Sequence, residues 1–239
     1  MVTGAASGMG NASAVLLADR GAQVVIVDLN SSVEPFAVEL DARAHVGSVA
    51  DAAFCDAVIA ASEDEFGAVD ILVNAAGTIV RANGVATSDE EWRRIFSVNV
   101  DGLFYMCRAA LRGMIDRGRG SIINFGSIWG DVGGPGHTAY AATKGAVHQI
   151  TKSLALEHAR DGIRVNAVLP GEIRTPMLSS ERDTPPTEED LQALADRAVP
   201  MGRLGDPKEV AEVVAFLASD AASYMTGSLV TVDAGYTAR

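Results

Sequence analysis

The stretch Thr3-Gly4-Ala5-Ala6-Ser7-Gly8-Met9-Gly10 lies between a short β-like start and an amphipathic segment, and it decides the fold. Its glycines let backbone N–H groups and a helix N-terminus approach a pyrophosphate, as strand–loop–helix units do when they bind dinucleotides. An ordinary turn can carry the same glycines, so the spacing Gly-x-x-x-Gly-x-Gly needs a second feature beside it.

Asp28 is that second feature, because it ends the next predicted strand about 20 residues beyond the loop. A carboxylate at this position accepts hydrogen bonds from both adenine-ribose hydroxyls, and its charge would repel a 2′-phosphate. Neither the glycine loop nor the residues immediately after Asp28 include a Lys or Arg that would offset this repulsion. We therefore predict NAD rather than NADP as the cofactor. The alternative is that Asp28 is only a turn residue before Leu29, Asn30 and Ser31.

Short apolar runs rich in β-branched residues alternate with longer amphipathic segments, which is the pattern of βαβ units in a parallel sheet. The predicted strands are residues 23–28, 69–74, 121–125, 163–168 and 228–232. The predicted helices are residues 9–20, 52–66, 89–117, 139–160, 188–198 and 207–219. We predict an α/β fold over residues 1–239: one Rossmann-type, doubly wound parallel sheet flanked by helices on both faces.

The composition excludes several classes of partner. A net charge of −12 over 239 residues argues against nucleic acid or an anionic membrane surface, because both require basic protein surface. Cys55 and Cys107 form no C-x-x-C motif or short-loop pair, which indicates a reducing compartment. No apolar stretch approaches the roughly 18 residues of a membrane span, and the histidines lack metal-ligand spacing. We expect a cytoplasmic protein with no metal site.

A second motif places Ser127 before Tyr140, with Lys144 four residues beyond the tyrosine. On a helix, residues four apart share a face, so the Lys144 ammonium would lie beside the Tyr140 phenol. We expect this cation to lower the tyrosine pKa from its usual value of about 10, while the Ser127 hydroxyl holds a substrate oxygen. The set suits proton exchange with an alcohol or carbonyl, although Tyr-x-x-x-Lys also occurs by chance on helices.

Residues 178–186 are polar and contain two prolines, and Thr187-Glu188-Glu189-Asp190 follows them as a capping-box-like helix start. This break in the strand–helix alternation predicts a substrate lid near residues 177–200. A passive surface connection is the alternative, because loops of this kind serve either purpose.

These motifs together resemble the short-chain dehydrogenase/reductase family, and the resemblance covers essentially the whole chain. The glycine loop is similar to the family's cofactor loop, and Asn74-Ala75-Ala76-Gly77 to its strand-end motif. Asn99 resembles the family's active-site asparagine, while Ser127, Tyr140 and Lys144 resemble its other catalytic residues. Residues 170–176 and 226–235 are similar to its nicotinamide-side loop and its C-terminal segment.

The resemblance implies roles for these residues. Tyr140 would exchange the hydroxyl proton, Ser127 would hold that oxygen, Lys144 would bind the nicotinamide ribose, and Asn99 would anchor a water leading to solvent. The implied cofactor-binding residues are Gly4, Ser7, Gly8, Met9, Gly10, Asp28, Leu29, Ser48, Val49, Asn74, Ala75, Ala76, Gly77, Tyr140, Lys144, Pro170, Gly171, Ile173 and Thr175. Family members usually form homotetramers through the helices that correspond to residues 89–117 and 139–160.

Three positions depart from the family pattern. Ser48-Val49 stands where the family often has Asp-Val, and Ala75 replaces a more common asparagine. Only Met1, Val2 and Thr3 precede Gly4, whereas a central strand needs about five or six residues. We expect either a native start further upstream or a shortened strand that costs stability, and an intact-mass measurement distinguishes the two.

The side chains expected on the substrate side are Ser127, Tyr140, Trp129 and Glu172. Trp129 would form an apolar wall and Glu172 would bind hydroxyl groups, which favours a polyol, sugar or sugar-acid derivative. Simple packing or surface exposure is the alternative for both. An acidic substrate is a further possibility, because arginines occur nearby in the sequence at Arg81, Arg174 and Arg182.

The first hypothesis is therefore an NAD-dependent dehydrogenase that acts on a secondary alcohol. One alternative is a 3-oxoacyl thioester reductase, which Asp28 and the acidic composition disfavour. The other is a catalytically silent NAD-binding sensor, which the intact set of Asn99, Ser127, Tyr140 and Lys144 disfavours.

Overall fold

The computed structural model describes residues 1–182 and 184–238; Asp183, in the predicted lid, and Arg239, at the end of the predicted domain, lie outside the described residues. The described strands are β1 Val2–Thr3, β2 Val25–Asp28, β3 Arg43–Val46, β4 Ile71–Asn74, β5 Gly120–Phe125, β6 Ile163–Pro170 and β7 Leu229–Val232. The described α-helices are α1 Gly8–Asp19, α2 Val33–Leu40, α3 Ala52–Phe66, α4 Asp89–Phe96, α5 Leu103–Arg117, α6 Thr138–His158, α7 Glu188–Ala198 and α8 Pro207–Ala218. None of these helices is long and apolar enough to cross a membrane.

The strands form one parallel sheet in the order β3-β2-β1-β4-β5-β6-β7. The chain winds outward in one direction from β1 through β2 and β3, and in the other from β4 to β7. The predicted doubly wound, Rossmann-type α/β fold is therefore confirmed. In such sheets, ligands bind beyond the carboxyl ends of the strands where the direction reverses, which here means beyond β1 and β4.

Both faces of the sheet are buried, which explains the continuous apolar runs of the central strands. Neighbouring residues on β5 show the division: Ile122 packs on the face covered by α3, α5 and α6, whereas Ile123 packs on the face covered by α1 and α8. Leu72 and Val73 divide in the same way on β4. The sheet is thus a rigid central layer from which the loops of the site project.

The structure adds elements that the sequence reasoning left out. Helix α2 and strand β3 were not predicted, because both are short and β3 is a polar, partly exposed edge strand with the sequence Arg-Ala-His-Val. The predicted helix over residues 89–117 is interrupted by the π-helical turn Ser97–Gly102. The capping box of α7 forms as predicted, and Asp206 caps α8.

Candidate active site

The glycine loop joins β1 to α1 and packs so tightly that side chains cannot replace its hydrogens. A Cβ at Gly4 would lie 2.7 Å from the backbone of Ala76, and a Cβ at Gly10 would lie 2.2 Å from the carbonyl oxygen of Gly4. Gly4 and Gly8 have φ angles of 67° and 59°, a conformation that favours glycine. The first turn of α1 carries no acidic side chain, and the Ser7 hydroxyl makes no capping hydrogen bond. This open helix N-terminus fits the pyrophosphate of a dinucleotide.

Asp28 ends β2 beside this loop. Its Oδ2 accepts a hydrogen bond from the backbone N–H of Ala6 at 2.9 Å, and its Oδ1 accepts one from the backbone N–H of Asn30 at 2.9 Å. Asp28 therefore orders the glycine loop and also makes the turn after β2, while its contact with a ribose stays a prediction. Its place at the end of the second strand is that of a ribose-binding carboxylate.

Asn99 lies in the π-helical turn between α4 and α5. Its Oδ1 accepts a hydrogen bond from the backbone N–H of Thr78 at 2.8 Å, and its Nδ2 donates to the Thr78 carbonyl at 2.9 Å and the Thr143 hydroxyl at 3.1 Å. A Cβ at Gly77 would lie 3.4 Å from Asn99 Oδ1 and 3.9 Å from Lys144 Nζ. The strand-end motif, the asparagine and the lysine therefore converge, as predicted. Single π turns inside α-helices often occur at functional sites.

Tyr140 and Lys144 lie one turn apart on α6, facing Ser127 beyond the carboxyl end of β5. Tyr140 lies close enough to Ser127 for that side chain to lower the pKa of the phenol, and Ser127 Oγ accepts a hydrogen bond from the backbone N–H of Trp129 at 3.2 Å. The Lys144 Nζ lies 5.5 Å from the centroid of the Tyr140 ring and donates to the carbonyl oxygen of Phe125 at 2.7 Å. All three predicted catalytic side chains are at most 8% exposed. The motif is therefore a buried cluster and not a chance pair on a helix surface.

The protonation of this cluster differs from the sequence-based expectation. Burial raises the pKa of Tyr140 to about 12, and the Ser127 hydrogen bond and the charge of Arg81 oppose that rise only in part. Burial also lowers the pKa of Lys144 to about 8. The expectation that Lys144 lowers the tyrosine pKa is wrong for this structure, because the Lys144 ammonium lies against the ring and is bonded to the Phe125 carbonyl. The phenol is held protonated, as a proton donor to a carbonyl oxygen requires.

A cavity of about 350 Å³ opens at Ser127 and Tyr140. Trp129 and Glu172, the two side chains expected on the substrate side, both line it. From the cofactor side it is lined by Met9, Pro170, Gly171, Ile173 and Thr175. The cavity therefore brings the predicted nicotinamide-side loop to the catalytic hydroxyls.

Residues from distant segments support the cavity wall. The Trp129 ring stacks on His137, with ring centroids 5.6 Å apart, and meets Tyr236 edge-on at 5.7 Å. Burial raises the pKa of Glu172, while nearby Arg81 opposes that rise. Neither His137 nor Tyr236 belongs to a motif, so no signal in the sequence pointed to them.

His148 is a supporting residue that sequence periodicity was able to reveal, because it lies four residues after Lys144 on the same helix face. Its Nε2 accepts a hydrogen bond from the backbone N–H of Ser127 at 3.4 Å, and its Nδ1 lies 3.1 Å from Asp131 Oδ1. A Cβ at Gly130 would lie 2.4 Å from its ring. His148 thus fixes the backbone that carries the catalytic serine.

Other predicted residues have mainly structural contacts. The Asn74 amide donates to Asn124 Oδ1 at 3.0 Å within the core, below the cofactor loop. Val49 is buried, and a Cβ at Gly102 would lie 2.7 Å from its side chain. Ser48 Oγ accepts from the backbone N–H of Ala50 at 3.2 Å, and Leu29 is largely exposed. Ala75 and Ala76 close the underside of the glycine loop, with their backbones less than 3 Å from a Cβ placed at Gly4.

The segment predicted as a lid contributes to one side of the cavity. It begins with the 3-10 turn Pro176–Leu178 and ends with α7. The side chains from it that line the cavity are Met177, Leu178, Arg182, Leu194, Arg197 and Ala198. Arg174, in contrast, is paired with Glu188 at 2.7 Å and does not line the cavity. Opening and closing of this segment stays a prediction.

A doubly wound parallel sheet with a glycine cradle at its switch point, next to a buried serine, tyrosine and lysine, defines an oxidoreductase acting on an alcohol or carbonyl group. Residues 4–237 match the family model described as enoyl-(acyl carrier protein) reductase. The chain belongs to the short-chain dehydrogenase/reductase family, whose members use a nicotinamide cofactor.

Three known proteins that are similar to this chain have different printed activities. Galactitol 2-dehydrogenase (L-tagatose-forming) of Cereibacter sphaeroides is 42% identical over 99% of this chain and 93% of its own. The 3-oxoacyl-[acyl-carrier-protein] reductase FabG of Vibrio cholerae is 43% identical over 98% of this chain and 95% of its own. The crystal structure of levodione reductase superposes with a TM-score of 0.92 at 33% identity, covering 99% of this chain and 96% of that one.

Proposed function

We propose that this protein is an NAD-dependent dehydrogenase that transfers a hydride between NAD and a secondary alcohol of a polyol, sugar or sugar-acid derivative. One observation carries the proposal: the hydroxyl-bearing side chains of Ser127 and Tyr140 line a cavity that is also lined by Met9 of the glycine loop and by Pro170, Gly171, Glu172, Ile173 and Thr175. A substrate oxygen at these hydroxyls would therefore lie next to the cofactor loop.

Each catalytic side chain has a role that its contacts support. When bound, the nicotinamide exchanges hydride with the carbinol carbon. Tyr140 exchanges the proton of the substrate oxygen, and Ser127 positions that oxygen by a hydrogen bond. Lys144 holds a buried positive charge against the tyrosine ring, ready for a ribose hydroxyl. Asn99 fixes the backbone at Thr78 by bonding both its N–H and its carbonyl.

Asp28 supports NAD as the cofactor. Its carboxylate already holds the glycine loop through Ala6, so a 2′-phosphate at the adenine ribose would lie close to a fixed negative charge. The sequence offers no Lys or Arg in the loop or directly after Asp28 to neutralise it. The polar Glu172 and the apolar Trp129 in one cavity support a hydroxylated carbon chain as the substrate. The similarity to a galactitol dehydrogenase points in the same direction.

A 3-oxoacyl thioester reductase is the second candidate, favoured by the 43% identity to the Vibrio cholerae FabG. Reduction of acyl thioesters usually draws on NADPH, which Asp28 disfavours. The net charge of −12 also disfavours docking of an acidic carrier protein, because like charges repel.

The test is a panel of polyols, sugars, sugar acids and simple secondary alcohols, assayed for reduction of NAD and, separately, of NADP. We expect turnover with NAD at a kcat/KM at least tenfold above that with NADP. Turnover of a 3-oxoacyl thioester with NADPH, and of no alcohol with NAD, would favour the second candidate. Binding of NADH without turnover of any panel member would favour the silent sensor.

We further propose a cytoplasmic homotetramer. Both cysteines are buried and free, as a reducing compartment allows. Large apolar side chains on helices α4, α5 and α6 are exposed on the single chain, which supports burial between subunits: Trp92, Phe104, Ile115 and Leu156. A monomeric mass by light scattering at micromolar concentration would contradict this assembly.

A further inference from the structure

Three arginines without an acidic partner among the described residues line the substrate cavity. Nine arginines in the described chain form an ion pair with Asp or Glu within 4.0 Å: Arg20, Arg43, Arg93, Arg94, Arg112, Arg117, Arg119, Arg174 and Arg203. Six described arginines have no such partner among the described residues: Arg108, Arg160 and Arg164 lie elsewhere, whereas Arg81, Arg182 and Arg197 all line the cavity beside Tyr140. Since the chain carries a net charge of −12, three unpaired cations around one cavity indicate a site for an anion.

Arg81 is the half-buried member of this group, and neutral acceptors hold its guanidinium. Its Nε donates to the Ser180 carbonyl at 3.1 Å and its Nη2 to the Met177 carbonyl at 2.9 Å, while its Nη1 lies 3.3 Å from His137 Nε2. The other ring nitrogen of His137 lies 2.9 Å from the Pro135 carbonyl, which only accepts hydrogen bonds. Because a guanidinium only donates, His137 Nε2 is the acceptor in its contact with Arg81, and Nδ1 is the donor to the Pro135 carbonyl.

These contacts leave a defined part of the guanidinium for a ligand. A guanidinium has five N–H donors, and the three contacts use one each on Nε, Nη1 and Nη2 of Arg81. One N–H remains on each terminal nitrogen. These two N–H groups, one on each terminal nitrogen, are donors for the oxygens of a carboxylate, a group that arginine binds through strong, charge-assisted hydrogen bonds.

The surrounding charges favour a bound anion. Burial lowers the pKa of Arg81, and the like charge of Arg182 lowers it further, so the cation is incompletely compensated. Glu172 opposes this, but burial raises the pKa of its own carboxyl. Two other nearby carboxylates are already engaged. Glu181 forms an ion pair with an arginine of α4 at 3.0 Å, and Asp190, whose charge interacts with that of Arg182, caps helix α7.

We infer that the substrate carries a carboxylate, which Arg81 binds while the carbinol or carbonyl carbon lies at Ser127 and Tyr140. This inference rests on the proposed function and narrows it to hydroxy acids and their oxo-acid products. Arg182 and Arg197, exposed at the rim, increase the rate at which the anion enters, because a positive mouth on a negative protein steers anions. The volume of about 350 Å³ limits the substrate to a small molecule.

The experiment compares each hydroxy acid with its own carboxamide, which keeps the shape and removes the charge. D-gluconate and 4-hydroxycyclohexanecarboxylate, each beside its amide, are assayed for NAD reduction. Their binding to the NADH-loaded protein is measured in parallel by calorimetry. We expect kcat/KM and affinity to be at least ~10-fold higher for an acid than for its amide, since hydrogen bonds to charged groups are the strong ones.

Variants separate binding of a carboxylate from mere support of the segment that Arg81 also contacts. Arg81→Gln should raise KM for an acid ~10-fold to ~100-fold and abolish the preference for the acid over its amide. Arg182→Gln, at an exposed position, should lower kcat/KM for the acid and weaken its dependence on salt. Arg119→Gln is the control, because Arg119 pairs with Asp70 at the amino-terminal ends of β5 and β4, on the other side of the sheet from the cavity.

Each outcome supports or overturns the inference. Equal use of acids and amides, preference for a sugar phosphate, or an equal loss of both substrates in Arg81→Gln would overturn it while the proposed function stands. If the acids bind in calorimetry, and Arg81→Gln abolishes that binding, but nothing is turned over, the carboxylate site stands and the proposed function falls. Absence of both binding and turnover for every carboxylate would overturn it as well.

Discussion

The cofactor cradle and the substrate cavity lie next to each other but are built from different parts of the chain. The cradle is made of backbone: glycines whose hydrogens have no room to be replaced, an open helix N-terminus and a carboxylate that holds the loop. The cavity is lined mainly by side chains from the loops after β4, β5 and β6, from α6 and from the segment around α7. We therefore expect the cradle to be disrupted by substitutions that add atoms to its glycines, and the cavity to lose function when its side chains are shortened.

The sharpest test of this contrast removes one atom from the cavity. Tyr140→Phe deletes only the hydroxyl, so we expect kcat to fall ~10²-fold to ~10⁴-fold, the usual contribution of a general acid or base. Affinity for NADH and the melting temperature should change little. Tyr105→Phe, on α5, is the matched control. Turnover at more than a tenth of the wild-type rate would contradict the role given to the phenol.

The complementary test adds one carbon to the cradle. Gly10→Ala would place a Cβ 2.2 Å from the Gly4 carbonyl oxygen, so the loop must move. We expect a loss of about 3 kcal/mol in the free energy of unfolding, the upper range for overpacking, together with weaker NAD binding. Gly84→Ala is the control, because a Cβ there meets nothing within 4 Å. Equal stability of the two variants, measured by urea titration, would show that the cradle is not rigid.

The third test concerns the charge buried between the two regions. The pKa of Lys144 is lowered to about 8, whereas a lysine in an unfolded chain titrates near about 10.4. Between these pH values the unfolded chain binds more protons, so the free energy of unfolding rises with pH through this range. Lys144→Met should therefore be more stable than the wild type by about 2 kcal/mol at pH 7, after the loss of one hydrogen bond is subtracted.

The pH dependence checks the sign of this effect. The advantage of Lys144→Met should shrink from pH 8 upward and vanish above about pH 10.4, because both chains then bury a neutral side chain. Lys152→Met, at an exposed position of the same helix, should show no such dependence. Denaturant titrations at several pH values measure the difference, and a variant less stable than the wild type at pH 7 would contradict it.

The smallest expected effect is at the edge of the cradle. Asp28→Asn removes the charge but keeps the shape, so we expect NAD affinity to fall about tenfold, or about 1.4 kcal/mol, and the preference for NAD over NADP to narrow. Asp19→Asn, exposed at the end of α1, makes the same change of charge elsewhere. Titration of both variants with NADH and NADPH is the measurement. If the ratio of affinities is unchanged, Asp28 does not select the cofactor.

The same contrast explains what the sequence was able to predict. The cradle was predictable because its residues lie close together in the sequence at characteristic spacing: Gly4, Gly8 and Gly10 in one loop, and Asp28 at the end of the next strand. The central strands were predicted because burial on both faces demands continuous apolar runs. Edge strand β3 was not predicted, since its four residues alternate polar and apolar and are partly exposed, so they form no continuous apolar run.

The cavity was predictable only in part. Ser127, Tyr140 and Lys144 were found because two of them share a helix face. The importance of Arg81 among the other arginines depends on which carboxylates lie near it, and that is decided by packing between distant segments. The pKa of Tyr140 was misjudged for a related reason: spacing on a helix gives the neighbour but not the burial.

The π-helical turn Ser97–Gly102 limits which insertions and deletions this segment of the chain can accept. A π turn carries one residue more than an α turn, and each residue of an α-helix advances the helix by about 100°. Deleting any one residue between Asp89 and Arg117 would allow a regular helix, but it would rotate α4 against α5 and move the Asn99 amide away from Thr78. We therefore expect insertions and deletions to be tolerated in the loops on either side of this segment and not within it.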